Sequence, residues 1–192
     1  MSTIGDKTDI YVGRAVKARR EELKLSLRAL ATKSGTSSSM ISDIERGAKS
    51  PTISTISALA AALGVPISAL VDTATPTPAR IRVVRAAERP PLVDPVTGAN
   101  RQSFGPAVSG SKVEYLRYVV PPQITAGPFA PHAKGTIEHI HLAAGTVRVV
   151  VGDEDVKLEA GDSCSCFAGA SHLFDNTGGE VEALIYIVVE QP

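Results

Sequence analysis

No run of apolar residues in this 192-residue chain approaches the length that crosses a bilayer, and Met1 to Asp9 is polar, without the apolar core of a secretory signal. No membrane association is expected, and the protein is expected to be cytoplasmic. Cysteine is scarce: the only two, Cys164 and Cys166, stand two apart in a segment that reads as a strand, which puts both side chains on one face and disfavours a bond between them. A disulfide framework is not supported on that ground. Net charge is lacking too, since 20 basic residues balance 20 acidic ones. The balance is uneven along the chain, with 10 basic against 7 acidic residues in 1–72 and 10 against 13 in 73–192. A mildly basic front suits an anionic partner, and scattered charge of this size equally suits a solvated surface.

What is present in the front of the chain is helical. Ile10, Val12, Val16 and Leu23 fall on a loose helical stripe over Ile10 to Leu23. Ser26 is a natural N-cap for a second helix, Leu27 to Ser34, with Leu27, Leu30 and Ala31 inward and Gly35 as its stop. A third, Ser38 to Arg46, turns Ile41 and Ile44 inward and ends at Gly47. Pro51 and Thr52 open a fourth through Leu63, whose stripe is Ile56, Leu59, Ala60 and Leu63, and Pro66 opens a last short helix ending near Val71. Two short helices around a glycine turn make a helix-turn-helix arrangement, with small Ala31 where the helices touch.

Residues 10–72 resemble the lambda-repressor-like, or XRE-type, DNA-binding domain over its five-helix length. The resemblance rests on Arg20, Leu25-Ser26-Leu27-Arg28-Ala29-Leu30-Ala31, Ile41-Ser42-Asp43-Ile44-Glu45-Arg46-Gly47, Ser50-Pro51-Thr52 and Ala62-Leu63-Gly64-Val65-Pro66. It implies that Arg20 and Glu45 pair across the first and third helices, that Ser37, Ser38, Ser39, Ser42 and Asp43 lie at the major groove, and that Ser26, Arg28 and Lys49 touch phosphates. A merely soluble helix face is the competing account of the serines. Without Gln, Asn or Arg at the start of that face, bidentate base contacts are few, so specificity is expected from Arg46, from DNA shape and from paired half-sites read by a homodimer.

Residues 73–80, rich in threonine and proline, read as a linker between domains at 1–72 and 81–192. Behind it come β-branched segments separated by Gly, Pro, Asp and Asn: Ile81 to Arg85, Lys112 to Val120, Ile140 to Val151 as two strands and a turn, Val156 to Leu158, Ser163 to Phe167 and Val181 to Glu190. The continuous apolar run Leu184 to Val189 reads as a strand covered on both faces, and 86–111 reads as loop. An all-β sandwich or barrel is expected.

Between Pro131 and Asn176 lie His132, Glu138, Gly145, Gly161, Gly169, His172 and Asn176, with six residues between Glu138 and Gly145 and five between Gly161 and Phe167. These resemble the paired motifs of the cupin family, whose fold is a double-sheet jelly roll. The whole chain is then α + β with two domains, a five-helix lambda-repressor-like bundle followed by an all-β cupin jelly roll. The resemblance implies metal ligands at His132, Glu138 and His172, with Ala130 where the family has another histidine and Phe167 where proline is usual. Two imidazoles and one carboxylate suit Fe(II), and also Zn, Mn or Ni, and a metal-free pocket for an organic effector is the alternative. Ala130, Cys164 and Cys166 are expected to border that pocket, the cysteines either as small core residues or as soft ligands or oxidation sensors. His139 and His141 alternate away from Glu138, onto the outer face or a subunit contact.

Helices then cupin resemble bacterial transcription regulators that bind operator DNA as homodimers and sense a small-molecule effector through the β domain. The alternative is a mononuclear non-heme iron enzyme resembling the hydroxypropylphosphonate epoxidases, and a third is a DNA-binding dimer with the cupin as scaffold. Against the enzyme, only Lys134 and Arg148 stand near the site to hold a charged substrate, and Arg148 is expected to point outward.

Overall fold

Capping chemistry sets the helix boundaries. The Ser26, Ser37 and Thr52 hydroxyls accept from the backbone amides of Ala29, Met40 and Thr55, and left-handed Gly35 and Gly64 end the second and fourth helices. The computed structural model, which describes residues 4–71, 83, 85–89, 91–104 and 112–192, contains α1 (Ile4–Glu22), α2 (Leu27–Ser34), α3 (Ser38–Glu45), α4 (Ile53–Leu63) and α5 (Ser68–Val71). The chain divides into two compact units, Met1–Thr73 and Ala74–Pro192. The first helix begins at Ile4 rather than Ile10, because the apolar stripe marks only the part of a helix that packs.

Val12, Val16, Leu30, Ile41, Ile44, Ile56, Leu59 and Leu63 are buried and form the core of the helical unit. Gly13 allows α1 to approach α3 closely, because a Cβ there would collide with the Ile44 carbonyl oxygen. Arg20 ties the same two helices: its Nε and Nη2 donate to Oε1 and Oε2 of Glu45 at 2.6 and 2.8 Å, and Nη1 donates to the Leu25 carbonyl. The pairing implied by the family resemblance is present as a two-pronged bond between half-buried groups.

The second unit is two antiparallel sheets. Its strands are β1 (Leu92–Val93), β2 (Asn100–Ser103), β3 (Val113–Val120), β4 (Thr125–Phe129), β5 (Ile137–Ala144), β6 (Thr146–Val151), β7 (Glu154–Glu159), β8 (Ser163–Phe167), β9 (His172–Asp175) and β10 (Ala183–Glu190). One sheet runs β1-β2-β3-β10-β5-β8 and the other β4-β9-β6-β7. Leu116, Tyr118, Ile140, Leu142, Ile185 and Ile187 from the first face Phe129, Val147, Val149 and Phe174 from the second, as alternation dictates. The tight turn between β5 and β6 is Gly145, at φ +79° and hard against the Glu182 carbonyl, so no side chain fits. Buried Asn176 closes the end of the sandwich, its Nδ2 donating to the carbonyls of Val120, Pro121 and Val181.

Three expectations need correction. The segment 86–111, read as loop, contains β1 and β2, and β4 was hidden by the glycine and proline it carries at Gly127 and Pro128. β10 is closed on one face only: Ile185, Ile187 and Val189 are buried, while Leu184, Tyr186 and Val188 are half-buried, with Tyr186 stacking near Tyr115 and Phe104 at 6.0 and 5.8 Å. The linker 73–80, and Ile81, Arg82 and Val84 of the expected first strand, lie outside the described residues, and Val83 and Arg85 lie in no strand.

Two outcomes follow. Arg20→Ala leaves the Glu45 carboxylate, 7% exposed, without its partner. It is expected to destabilise the helical unit by about 3 kcal/mol, while Arg20→Met with Glu45→Leu does less harm. Urea unfolding checks this, and equal midpoints for wild type and Arg20→Ala would refute it. Asp175 is held down to about 2 by bonds from Thr177 and Arg148, which outweigh its burial. Its folded value lies below the ordinary carboxylate value of about 4, so it contributes stability above pH ~4 that is lost as the pH falls toward 2. Melting temperatures between pH 5 and 2 should therefore fall more steeply for wild type than for Asp175→Asn.

Candidate functional site

The residues singled out on the helices gather on and around α2 and α3. Ser26 and Ser37 already serve as N-caps, accepting from Ala29 and Met40 at 3.1 and 3.2 Å, and Ser39 bonds Ser37 at 3.2 Å. Their hydroxyls fix the helix starts first, which leaves the free amides of two N-termini as anion donors. Arg46 caps α3 and folds back along it, Nη1 donating to Ser42 Oγ at 2.9 Å and Nη2 to Asp43 Oδ1 at 2.6 Å. The guanidinium thus neutralises the one carboxylate on this face. Arg28 and Lys49 are exposed, and Ser38 and Ser42 are half-buried.

The second cluster is built by three different elements. Glu138 comes from β5, whose alternation turns it inward with Ile140 and Leu142 and turns His139 and His141 outward. His172 is the first residue of β9 in the facing sheet, buried beside the Phe129 ring at 5.5 Å. His132 lies in the segment between β4 and β5, which is anchored by the His132 amide donating to the Ala168 carbonyl and the Ala168 amide to the Thr136 carbonyl. The result is convergence: His132 Nε2 stands 3.2 Å and His172 Nε2 3.6 Å from Glu138 Oε1, and one ligand atom from each of the three lies within 4.8 Å of the others. The two rings stack at 5.4 Å.

The hydrogen-bond pattern suits a cation. His172 Nδ1 donates to the Ala170 carbonyl at 3.2 Å, which turns Nε2 toward Glu138. Burial pushes the Glu138 carboxyl up, but the bond from His132 and the charges of His172, His132 and Arg101 outweigh it and hold the group below its ordinary value. Its second oxygen, Oε2, is buried with no hydrogen-bond partner among the described residues. A buried carboxylate oxygen that no donor satisfies, beside two imidazole nitrogens that converge on the other oxygen, fits a divalent metal such as Fe, Zn, Mn or Ni. His132, Glu138 and His172 would hold it, and a bound ion would supply Lewis acidity, plus electron transfer if it were iron.

Alternation across the inner face of the first sheet defines the surroundings. Glu114 of β3, Val189 of β10, Glu138 of β5 and Cys166 of β8 stand opposite one another in a single row, and Leu116, Ile187, Ile140 and Cys164 form the next. Both cysteines are free, half-buried and inward, and burial followed by the Glu138 charge pushes both thiols up, Cys166 to about 11. Thiols held protonated are poor metal ligands and slow nucleophiles. Ala130 is half-buried at the end of β4, without ligand chemistry. Arg148 points outward as expected and pairs with Asp175, and exposed Lys134 lies in the His132 segment. The view that these were the local candidates to hold a charged substrate is overturned by buried Arg101, with the neutral Tyr118 hydroxyl beside it. Arg101 of β2 is buried opposite Tyr118 of β3, and its Nη2 donates to Glu114 at 3.1 Å. Burial, together with the Glu138 and Glu114 charges and against the pull of Arg101, pushes the Tyr118 hydroxyl up to about 12. An inward arginine on a strand that reads as loop leaves no clear trace in the sequence, since Asn100 to Ser103 are four polar residues without alternation.

Two family models match the chain, one described as Helix-turn-helix over residues 16–70 and one as Cupin domain over residues 116–189. The HTH-type transcriptional regulator SutR of Escherichia coli strain K12 is 28% identical over 189 residues, which is 95% of this chain and 96% of that protein. Among solved structures, an HTH_3 family transcriptional regulator from Vibrio cholerae superposes with a TM-score of 0.79 at 23% identity, over 98% of this chain and 99% of that one. Iron(II) HppE reaches a TM-score of 0.50 at 20% identity, over 96% of this chain and all of that one, 100%. At these identities the structural likeness is one of fold. With both models matched in this order and a transcriptional regulator similar almost end to end, the chain consists of an XRE-type helix-turn-helix domain followed by a C-terminal cupin domain.

Proposed function

We propose that this regulator binds operator DNA through α2 and α3 as a homodimer, and that its cupin domain senses a small-molecule effector at a divalent metal on His132, Glu138 and His172. The division of labour is 1–72 for DNA, 73–80 as linker and 81–192 for effector and dimerisation, in a cytoplasmic protein. One observation carries the sensing half: three metal-competent ligand atoms within 4.8 Å of each other, with Glu138 Oε2 buried and unsatisfied.

On the DNA side, α3 lies in the major groove with Ser38, Ser39, Ser42 and Asp43 toward base edges, while the capped N-termini at Ser26 and Ser37, with Arg28 and Lys49, hold phosphates. Arg46 keeps Asp43 neutralised, so the face can approach a polyanion. Effector binding changes operator affinity only in so far as it favours one arrangement of the two DNA-binding units over another. The same donor set would also hold catalytic iron. The regulatory reading is favoured because the relative matched over nearly the whole chain is a regulator, whereas the likeness to HppE is one of fold.

Operator fragments selected from a random pool provide the test on the DNA side. Arg28→Ala and Lys49→Ala are each expected to weaken binding across all sequences and to reduce the salt slope by about 1. Arg46→Ala, which exposes Asp43, is expected to weaken binding by about tenfold or more and to relax base preference. Elemental analysis of the purified protein should find about one divalent metal per chain, and none after His132→Ala with His172→Ala. Operator affinity that ignores every ligand bound by the cupin would defeat the sensing proposal. Oxygen consumption by the iron-loaded protein with a bound organic ligand would favour the enzyme.

A further inference from the structure

Arg101 is a buried cation that the metal set does not use. Arginine is rarely fully buried without extensive pairing, since it brings five N–H donors and a permanent charge. Here the side chain is 1% exposed, Nη2 donates to Glu114, the guanidinium also bonds the Tyr118 hydroxyl, and Nε is buried without a partner among the described residues. A pair that served only to fill the sandwich could be replaced by apolar side chains at little or no loss, and would leave no orphaned donor.

Its position gives the orphan a use. Glu114, which the guanidinium grips, lies in the same inner row as Glu138, with only Val189 of β10 between them. Two strand spacings make that separation roughly 9–10 Å between backbones, which is the span of a small organic molecule. Among the described residues, Glu138 Oε2 is an acceptor without a partner on β5, and Arg101 Nε a donor without one on β2, beyond Glu114 at the other end of this row. Complementary leftovers of this kind call for a cation beside Glu138 and an anionic group beside Arg101. The Tyr118 hydroxyl adds a donor, since Tyr118 stands opposite Arg101 on the same inner face and burial keeps it protonated.

Charge fixes the order of events. On this inner face one guanidinium, that of Arg101, stands against the two carboxylates Glu114 and Glu138, a balance that disfavours an anion. A divalent ion at the histidines and Glu138 reverses the sign and leaves a single positive charge in excess, which one carboxylate neutralises.

We propose that the effector is a small carboxylate, its anionic group taken by the fork of Arg101 with help from Tyr118, and its other end seated against a divalent cation at His132, Glu138 and His172. Glu114 acts as a positioning residue, holding the guanidinium at the level of Glu138. The proposal rests on the reading of that cluster as the metal and effector site.

The test uses the full chain, stripped of metal or loaded with redox-inert zinc, titrated with trifluoroacetate and followed by the fluorine NMR linewidth. Saturable broadening is expected with zinc and not without it. Neutral trifluoroethanol and the tetrahedral sulfonate triflate are expected to bind at least about tenfold more weakly, because neither offers a planar carboxylate to the fork. Arg101→Met with Glu114→Gln, which removes both charges together, should weaken trifluoroacetate binding by about tenfold or more at unchanged zinc content, the size expected for loss of a charge-assisted bond. Arg101→Lys keeps the charge and loses the fork, so it should also weaken binding even if the double variant fails to fold. Unchanged affinity in the variant that folds, equal binding of triflate, or no saturable binding by the zinc-loaded wild type overturns the proposal while the metal assignment stands. A wild-type chain that takes up no zinc overturns the metal assignment, and this proposal with it.

Discussion

A carboxylate buried between two apolar sheets is the constraint around which the C-terminal half is arranged. Glu138 sits 4% exposed with Val189 and Cys166 on the neighbouring strands, where an uncompensated charge would cost several kcal/mol, and other groups supply the compensation. His132 and His172 converge on one oxygen from two other elements, and Arg101 contributes positive potential from the far side of the same sheet. The remaining oxygen has no partner among the described residues. Each of these placements follows from the fold: Glu138 from strand alternation, His172 from the facing sheet, His132 from a segment tied to the Ala168 backbone.

The N-terminal unit answers to a different constraint, the joining of short helices that could not persist alone. Caps at Ser26, Ser37 and Thr52 satisfy backbone amides, Gly13 lets α1 and α3 approach, and the Arg20 to Glu45 bond fixes their register. The same serines that stiffen the helices stand at the surface that meets DNA in the proposed function. Few side chains are left there for base reading, and the fork of Arg46 is already engaged by Ser42 and Asp43. That economy is consistent with reading by shape and by paired half-sites more than by a rich direct code.

Both units were largely legible before any coordinates, for unequal reasons. Helix signals are local, so the bounds of α2 and the stops at Gly35 and Gly64 could be read from a few neighbouring residues. Strands are defined by distant partners. β5, β6 and β8 were visible because they are β-branched or bounded by glycine, whereas β4 and β2 were not, the first interrupted by Gly127 and Pro128 and the second made of four polar residues. The site divided along the same line. His132, Glu138 and His172 were nominated by spacing within a motif, while Arg101, Glu114 and Tyr118 belong to no motif and became visible only when β2 was laid beside β3.

The sequence by itself determined the kind of protein this is: capped helical periodicity in front, strand alternation behind, and three metal-competent side chains at motif spacing, all properties of short stretches of chain. Tertiary structure alone decided what those side chains face. That His132 and His172 meet on one oxygen of Glu138, that its other oxygen is left unsatisfied, and that a guanidinium lies buried in the same interior depend on register between strands far apart in sequence. Register is set by the packing of the whole sandwich, and no local stretch encodes it.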